Sequence, residues 1–305
     1  MLGYAAPMGS ALARLHAATR RLFAAALACV AAGGVAQERV LVERRSPYGL
    51  VTVVEDASGL RALYFDGGVA RQSAFDPRDP DHLESRYAQA VPLAFALAQG
   101  HARMLVVGLG VGIVPSFLRR RMPQLEVDAV ELDPVVVEVA RSHFGFREDA
   151  HLRAHVGDGR RFVERCRDRY DVVLLDAFGA DSVPYALATR EFLEAVRRVV
   201  APGGVAVGNV WGRERNTLYD AMLATYRAVF DEVWVLELEG AVNKLVFAFP
   251  GREGLARERV VARARELSAR LALRHDLGAL VERGFRPPGR DGEGARVLLD
   301  RDAPR

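Results

Sequence analysis

Apolar and polar positions along this 305-residue chain fall into two regimes that change over near residue 103. Before it, short β-branched stretches alternate in polarity, as half-buried strands do. Arg39–Glu43, Gly49–Glu55 and Leu60–Phe65 read as three strands, punctuated by turns at Ser58-Gly59 and, after the third, at Gly67-Gly68. They predict a small antiparallel unit over 38–75, which with the start of the turn-rich Asp76–Asp81 makes a β-rich N-terminal unit of residues 38–80. A helix is predicted over Glu84–Ala98. Beyond residue 103 the runs become continuously apolar, the mark of strands buried on both faces. Met104–Leu109, Glu126–Leu132, His151–Val156, Asp171–Asp176 and Val205–Val210 are the predicted strands of a parallel sheet. Helices over Val111–Arg121, from Pro134, and over Thr189–Val200 and Asn216–Phe230 separate or follow them. Val233–Leu238 and Lys244–Phe249 close the sheet as an antiparallel pair. Strand–helix alternation of this kind predicts an α/β fold with helices on both faces, over residues 81–250. An Arg-rich amphipathic helix, Glu253–Arg274, opens a tail of residues 251–305. Its apolar positions predict a face packed on the sheet, and Pro287–Gly294 is predicted loop.

The first 37 residues add a different signal. Arg14, Arg20 and Arg21 precede the apolar run Leu22–Ala36, which ends in small residues. That is the layout of a secretory signal peptide, and the run is short for a transmembrane helix. An Ala-rich helix packed on the domain and a misplaced start codon are the competing explanations. The expected location follows the choice: cytoplasmic without a signal, exported or membrane-anchored with one. Contact with a membrane is expected only if the segment is an uncleaved anchor.

Composition changes the picture little. The apolar fraction is 50% and the formal net charge +3, as in ordinary globular proteins. Lys244 is the only lysine. No basic run carries interleaved aromatics, so nucleic acid is not an expected partner. Cys29 and Cys166 do not make a disulfide framework. His82, His101, His143, His151 and His155 lack metal-ligand spacing, and no metal is expected. Ser73 and Ser182 have no evident base partner.

The candidate chemistry lies at strand ends. Gly108-Leu109-Gly110-Val111-Gly112 follows a buried strand and opens a helix, where glycines permit a sharp turn and close backbone approach to a ligand. A dinucleotide fingerprint needs a third glycine at position 113, and this chain has Ile113. The spacing favours the Rossmann-like fold of class I S-adenosylmethionine-dependent methyltransferases. Glu131 ends the next strand, where a carboxylate can accept from both hydroxyls of a ribose. Asp133 suits a helix N-cap before Pro134. Asp158, in Gly157-Asp158-Gly159, suits an adenine amino group, an N-cap, or both at once. Asp176 ends the fourth strand of the sheet. Each of these loops sits at the carboxyl edge, where open α/β sheets bind ligands. Trp211 and Tyr185 are candidates to line an acceptor pocket, with simple packing, the commoner role of aromatics near a sheet edge, as the alternative.

From about residue 39 to 250 the chain resembles the spermidine synthase family. The resemblance rests on SPYGLVTVVED…LRALYFDG, VVGLGVG, AVELDP, VGDG and YDVVLLDAF, in order and spacing. It implies a bound S-adenosylmethionine-like nucleoside, contacted by Gln72, Glu131, Asp158 and Gly159 around the turn of Gly108, Gly110 and Gly112. It also implies Asp176 as proton acceptor and a homodimer through the β unit. The family's aminopropyltransferases differ at three places. They carry an Asp where this chain has Val111, a Tyr-His-Glu stretch where it has Tyr87-Ala88-Gln89, and a second Asp at Gly179; Asp181 is an off-register substitute. DAVELDPVVVEVARSHFGF, DAFGADSVPYALATREFL and EGAVNKLVFAF resemble the branch of spermidine-synthase-like proteins described as methyltransferases. The expectation is therefore a transferase using S-adenosylmethionine on a small-molecule or protein amine. The alternatives are aminopropyl transfer from decarboxylated S-adenosylmethionine to putrescine, and a non-catalytic nucleoside-binding protein.

Overall fold

A computed structural model of the chain describes residues 38–66, 71–178 and 183–304. The N-terminal apolar segment with Cys29, the turn at Gly67-Gly68, and Gly179, Asp181 and Ser182 lie outside the described residues.

Four antiparallel strands form the first sheet in sequence order: β1 (Arg39–Ser46), β2 (Gly49–Glu55), β3 (Arg61–Phe65) and β4 (Ser73–Phe75). The alternation of β2 and β3 buries Val51, Val53 and Leu63 on one face. Strand β4 is too short for periodicity to reveal, and pairing with β3 fixes it.

The second sheet contains β5 (Arg103–Val107), β6 (Glu126–Glu131), β7 (Leu152–Val156), β8 (Tyr170–Leu175), β9 (Val200–Trp211), β10 (Glu232–Glu237), β11 (Asn243–Phe249) and β12 (Phe285–Arg286). Its order is β12-β10-β11-β9-β8-β5-β6-β7. The five strands β9, β8, β5, β6 and β7 are parallel, and β11, β10 and β12 add antiparallel. The chain winds outward from β5 to β7, then returns to the other side of β5 through β8. The carboxyl ends of β5 and β8 therefore flank a topological switch point, where such sheets form a crevice.

Helices cover both faces. Residues 159–165, 190–199 and 219–229 pack on one face around Phe192, Tyr219 and Tyr226. The opposite face buries Met104, Val106, Leu174, Val207 and Leu245 beneath helical residues 93–97 and 113–121. The predicted single helix over Glu84–Ala98 is instead two, Arg86–Ala90 and Leu93–Leu97. Pro92 between them has no backbone N–H to continue the ladder. The tail helix spans Arg257–Arg270 and packs on Leu93–Leu97 and on a further helix, Leu277–Gly284, with Val260, Val261, Ala264 and Leu267 in the same apolar cluster as the sheet residues Leu236 and Phe249. That last helix and β12 were not visible in the hydrophobic pattern, because each is short and acquires its partner only in the fold.

A third apolar cluster joins the two sheets. Val51, Val53, Leu63 and Phe75 of the first sheet meet Val135, Val136 and Val139 of the helix Pro134–His143, with Val111 among them. This contact holds β4 over the glycine turn. The turn itself is shaped from below. Gly112 has φ +73°, and a Cβ there would run into the ring of Phe146, which is fully buried. Phe146 thus fills the space that the glycine leaves open. Phe146→Ala opens a cavity directly under the turn and is expected to lower unfolding free energy by about 3–5 kcal/mol. Urea denaturation of the two proteins checks it.

Candidate functional site

The crevice at the switch point is a cleft of about 610 Å³ between the first sheet and the carboxyl edge of the second. That volume suits a nucleoside-sized ligand. Gln72, Gly108, Gly110, Gly112, Glu131, Asp158, Gly159 and Asp176 all line it. The structure therefore brings the sequence-predicted residues together around one space.

Local rules place each of them. Gly108 has φ +97°, and a Cβ there would lie 2.5 Å from the carbonyl oxygen of Asp176. Only glycine lets the β5 turn pass so close to the end of β8. The ladder continues past the strands at this point: Asp176 N–H donates to Val107 O (2.8 Å) and Gly108 N–H to Val130 O (2.9 Å). Gly110, at φ +53°, has only Ser73 Oγ near its open side, at 3.7 Å from a built Cβ. Its backbone is thus open toward the cleft.

Glu131 closes β6. Its carboxylate accepts from Gly110 N–H (3.0 Å) and Asp133 N–H (3.1 Å). Burial raises its pKa, and these backbone donors pull it back. Asp133 caps the following helix through Val135 N–H (2.8 Å) and Asp158 caps the next through Arg161 N–H (3.0 Å). Asp158 thus fills the capping role of the two the sequence allowed. It also faces the cleft.

Asp176 sits one residue beyond β8, held by Tyr87 from the helix above and by Asn209 of β9. Its Oδ1 accepts from Asn209 Nδ2 at 2.7 Å. The residue is half-buried, and it lines the cleft. Burial raises its pKa from 3.8 to about 7, the Asn209 and Tyr87 donors oppose that rise, and the charge of Glu131 adds to it. Tyr87 is pushed up in turn, by burial and then by the Asp176 charge.

Asn209 and Asn243 are the site residues that sequence reasoning missed. Asn209 lies inside the apolar run Val205–Val210, where an isolated polar residue in a buried strand was the available signal, whereas Asn243 stands just before the run Lys244–Phe249 and gave none. Trp211 lines the cleft and stacks on Phe178 at 5.4 Å. Tyr185 does not line it: its hydroxyl donates to Leu299 O (3.3 Å), in the tail. Gln89, at the position of the family's Glu, turns away and donates to Leu83 O at 2.6 Å. Among the described residues no group of three His, Cys, Asp or Glu side chains could hold a metal ion.

The raised pKa of Asp176 has a stability signature. Below 3.8 the folded and unfolded chains both hold the proton. Between 3.8 and about 7 the unfolded chain releases it first, so stability falls as pH rises through that window. Asp176→Asn removes this loss. Its melting temperature is expected to exceed that of the parent at pH 8, and the difference to vanish toward pH 4, in paired thermal melts.

Residues 90–227 match the spermine/spermidine synthase domain. The polyamine aminopropyltransferase of Vibrio vulnificus is 32% identical over 219 residues, covering 70% of this chain and 72% of that protein. The human eEF1A lysine and N-terminal methyltransferase is 33% identical over 209 residues, 65% of this chain but only 28% of that longer protein. A crystal structure of human methyltransferase-like protein 13 in complex with SAH superposes with a TM-score of 0.55 at 30% identity, covering 61% of this chain and 90% of that one. These relatives are transferases, and the chain belongs to the spermine/spermidine synthase family.

Proposed function

We propose that this chain is a methyltransferase that uses S-adenosylmethionine on an amine acceptor. The observation that carries the reading is Val111. Where the family's aminopropyltransferases place a carboxylate, this side chain is 1% exposed and packs among Val51, Val53 and Val136. No anion in the glycine turn pairs with the ammonium of a decarboxylated cofactor or repels the carboxylate of S-adenosylmethionine. The SAH-bound relative supports the same cofactor class.

Glu131 is assigned the ribose hydroxyls, and Asp158, Gly159 and Gln72 the rest of the nucleoside. Turning from Gly110 N–H to a ribose exchanges one hydrogen bond for two. The backbone at Gly108, Gly110 and Gly112 comes close to the ligand because no side chain intervenes. S-adenosylmethionine supplies an electrophilic methyl carbon on a sulfonium whose leaving group is a neutral thioether.

The chain's own task is to present the acceptor nitrogen, keep its lone pair free and exclude water. Asp176 is the proton acceptor: its carboxylate takes a proton from the attacking amine, and a pKa near 7 suits a base at neutral pH. Asn209, Trp211 and Asn243 line the cleft beyond it. Amides and an aromatic ring suit a single ammonium on an apolar stem. A polyamine brings further charges that these neutral groups leave unpaired, at a cost.

The similarity to the Vibrio vulnificus aminopropyltransferase favours a second reading, aminopropyl transfer to putrescine. Calorimetry and product analysis separate the two. The proposal expects S-adenosylhomocysteine to bind, and Glu131→Ala to weaken it about 10- to 100-fold, the worth of charge-assisted hydrogen bonds to a ribose. It expects no spermidine from decarboxylated S-adenosylmethionine and putrescine at enzyme-stoichiometric concentration. Spermidine formation would establish the second reading. Absence of nucleoside binding would remove both.

A further inference from the structure

The amide side chains behind Asp176 form an ordered chain of donors. Asn243 Nδ2 donates to Asn209 Oδ1 at 2.9 Å, and Asn209 Nδ2 donates to Asp176 Oδ1 at 2.7 Å. The sheet register produces this alignment. Leu175 of β8 pairs with Gly208 of β9, so Asp176 and Asn209 follow as neighbours one step on. Asn209 pairs with Leu245 of β11, and Trp211 with Asn243, so Asn209, Trp211 and Asn243 share one face. That face also buries Leu174, Val207 and Leu245, on the side where Tyr87 packs.

Asn209 is 2% exposed, so neither end of its amide has water to turn to. An amide presents a donor at one end and an acceptor at the other, and a carboxylate accepts only. Reversing Asn209 sets its carbonyl oxygen against the Asp176 carboxylate and its NH2 against that of Asn243. Two buried mismatches follow, each costly. Both neighbours therefore hold Asn209 in one orientation: the Asp176 carboxylate takes its NH2, and the Asn243 NH2 takes its carbonyl oxygen.

We infer that Asn209 and Asn243 are positioning residues for Asp176: Asn243 locks the Asn209 amide with its NH2 toward the carboxylate, which fixes the carboxyl plane and keeps the group available as a base. One oxygen of Asp176 is committed to this lock, and the acceptor's proton reaches the carboxylate from the cleft. The titratable groups facing Asp176 are Tyr87 on the helix above and Glu131 at the end of β6. Burial and the Glu131 charge favour the protonated acid, while the Asn209 and Tyr87 donors favour the carboxylate. Asn209 cannot itself titrate, so it holds this balance at every pH. The inference rests on the assignment of Asp176 as proton acceptor, but the arrangement can be tested with neither cofactor nor acceptor.

The experiment is a carboxyl-carbon NMR titration of the full chain labelled at aspartate. The Asp176 resonance is identified by its loss in Asp176→Asn. In Asn209→Leu its titration midpoint is expected to rise by about one pH unit, the worth of one hydrogen bond to a charged group. In Asn243→Ala, where Asn209 remains but is free to turn, the midpoint rises by part of that amount. Urea midpoints for each variant report whether the fold is intact. Should Asn209→Leu not fold, Asn243→Ala decides alone, since its side chain reaches the cleft wall. An unchanged midpoint in folded Asn243→Ala overturns the lock, whatever Asn209→Leu shows. Failure of the methyltransferase reading registers elsewhere, as absent binding of S-adenosylhomocysteine, and leaves this titration interpretable.

Discussion

The cleft depends on how closely two strand ends approach. At the switch point the backbone of Gly108 passes the carbonyl of Asp176 with no room for a Cβ between them. Because this contact is backbone on backbone, flexible side chains cannot relieve it. It sets where the glycine turn leaves β5 and where Asp176 emerges from β8. The other contacts of the turn follow from that placement. Gly110 N–H reaches the Glu131 carboxylate, Gly112 accommodates Phe146, and Val111 enters the apolar cluster beneath the first sheet. The glycine turn with Glu131 and the Asp176 carboxylate are thus two sides of one tight crossing, which the proposed nucleoside site and proton acceptor share.

The crossing also explains why Asp176 is both costly and useful. A carboxylate enclosed by protein is penalised, and the penalty appears as a pKa near 7 instead of 3.8. Asn209 and Tyr87 limit it by donating to the carboxylate. The group is left between acid and base at neutral pH, which a proton acceptor requires and a purely structural aspartate does not. The cleft it faces is lined by Asn209, Asn243 and Trp211, and also by the carboxylates of Glu84 and Asp66. On the methyltransferase reading proposed above, two side chains set this site apart from polyamine chemistry: Val111, packed away in apolar surroundings, and Gln89, committed to Leu83 O.

Much of this was legible in the sequence because it rests on short-range rules. Continuous apolar runs located β5, β6 and β8, and the glycine turn with acidic strand ends pointed to the carboxyl edge. Asp133 and Asp158 announced themselves as helix caps by position. What stayed hidden depends on register and tertiary packing. Asn209 and Asn243 are distant in sequence, and only the antiparallel pairing of β9 with β11 brings their amides to 2.9 Å. Tyr185, as an aromatic near the sheet edge, suited either a pocket wall or simple packing, and its hydroxyl turns to Leu299 in the tail. Pro92 divided a helix whose apolar pattern ran straight through it.

The central claim is that one cleft holds a nucleoside on Glu131 and presents its sulfur toward Asp176. A crystal structure with S-adenosylhomocysteine tests this most directly. The account predicts ribose hydroxyls on the Glu131 carboxylate, the amino-acid tail along the glycine turn where Val111 offers no anion, and the thioether facing the space in front of Asp176. A nucleoside bound with its ribose away from Glu131, or its sulfur turned away from Asp176, would contradict it.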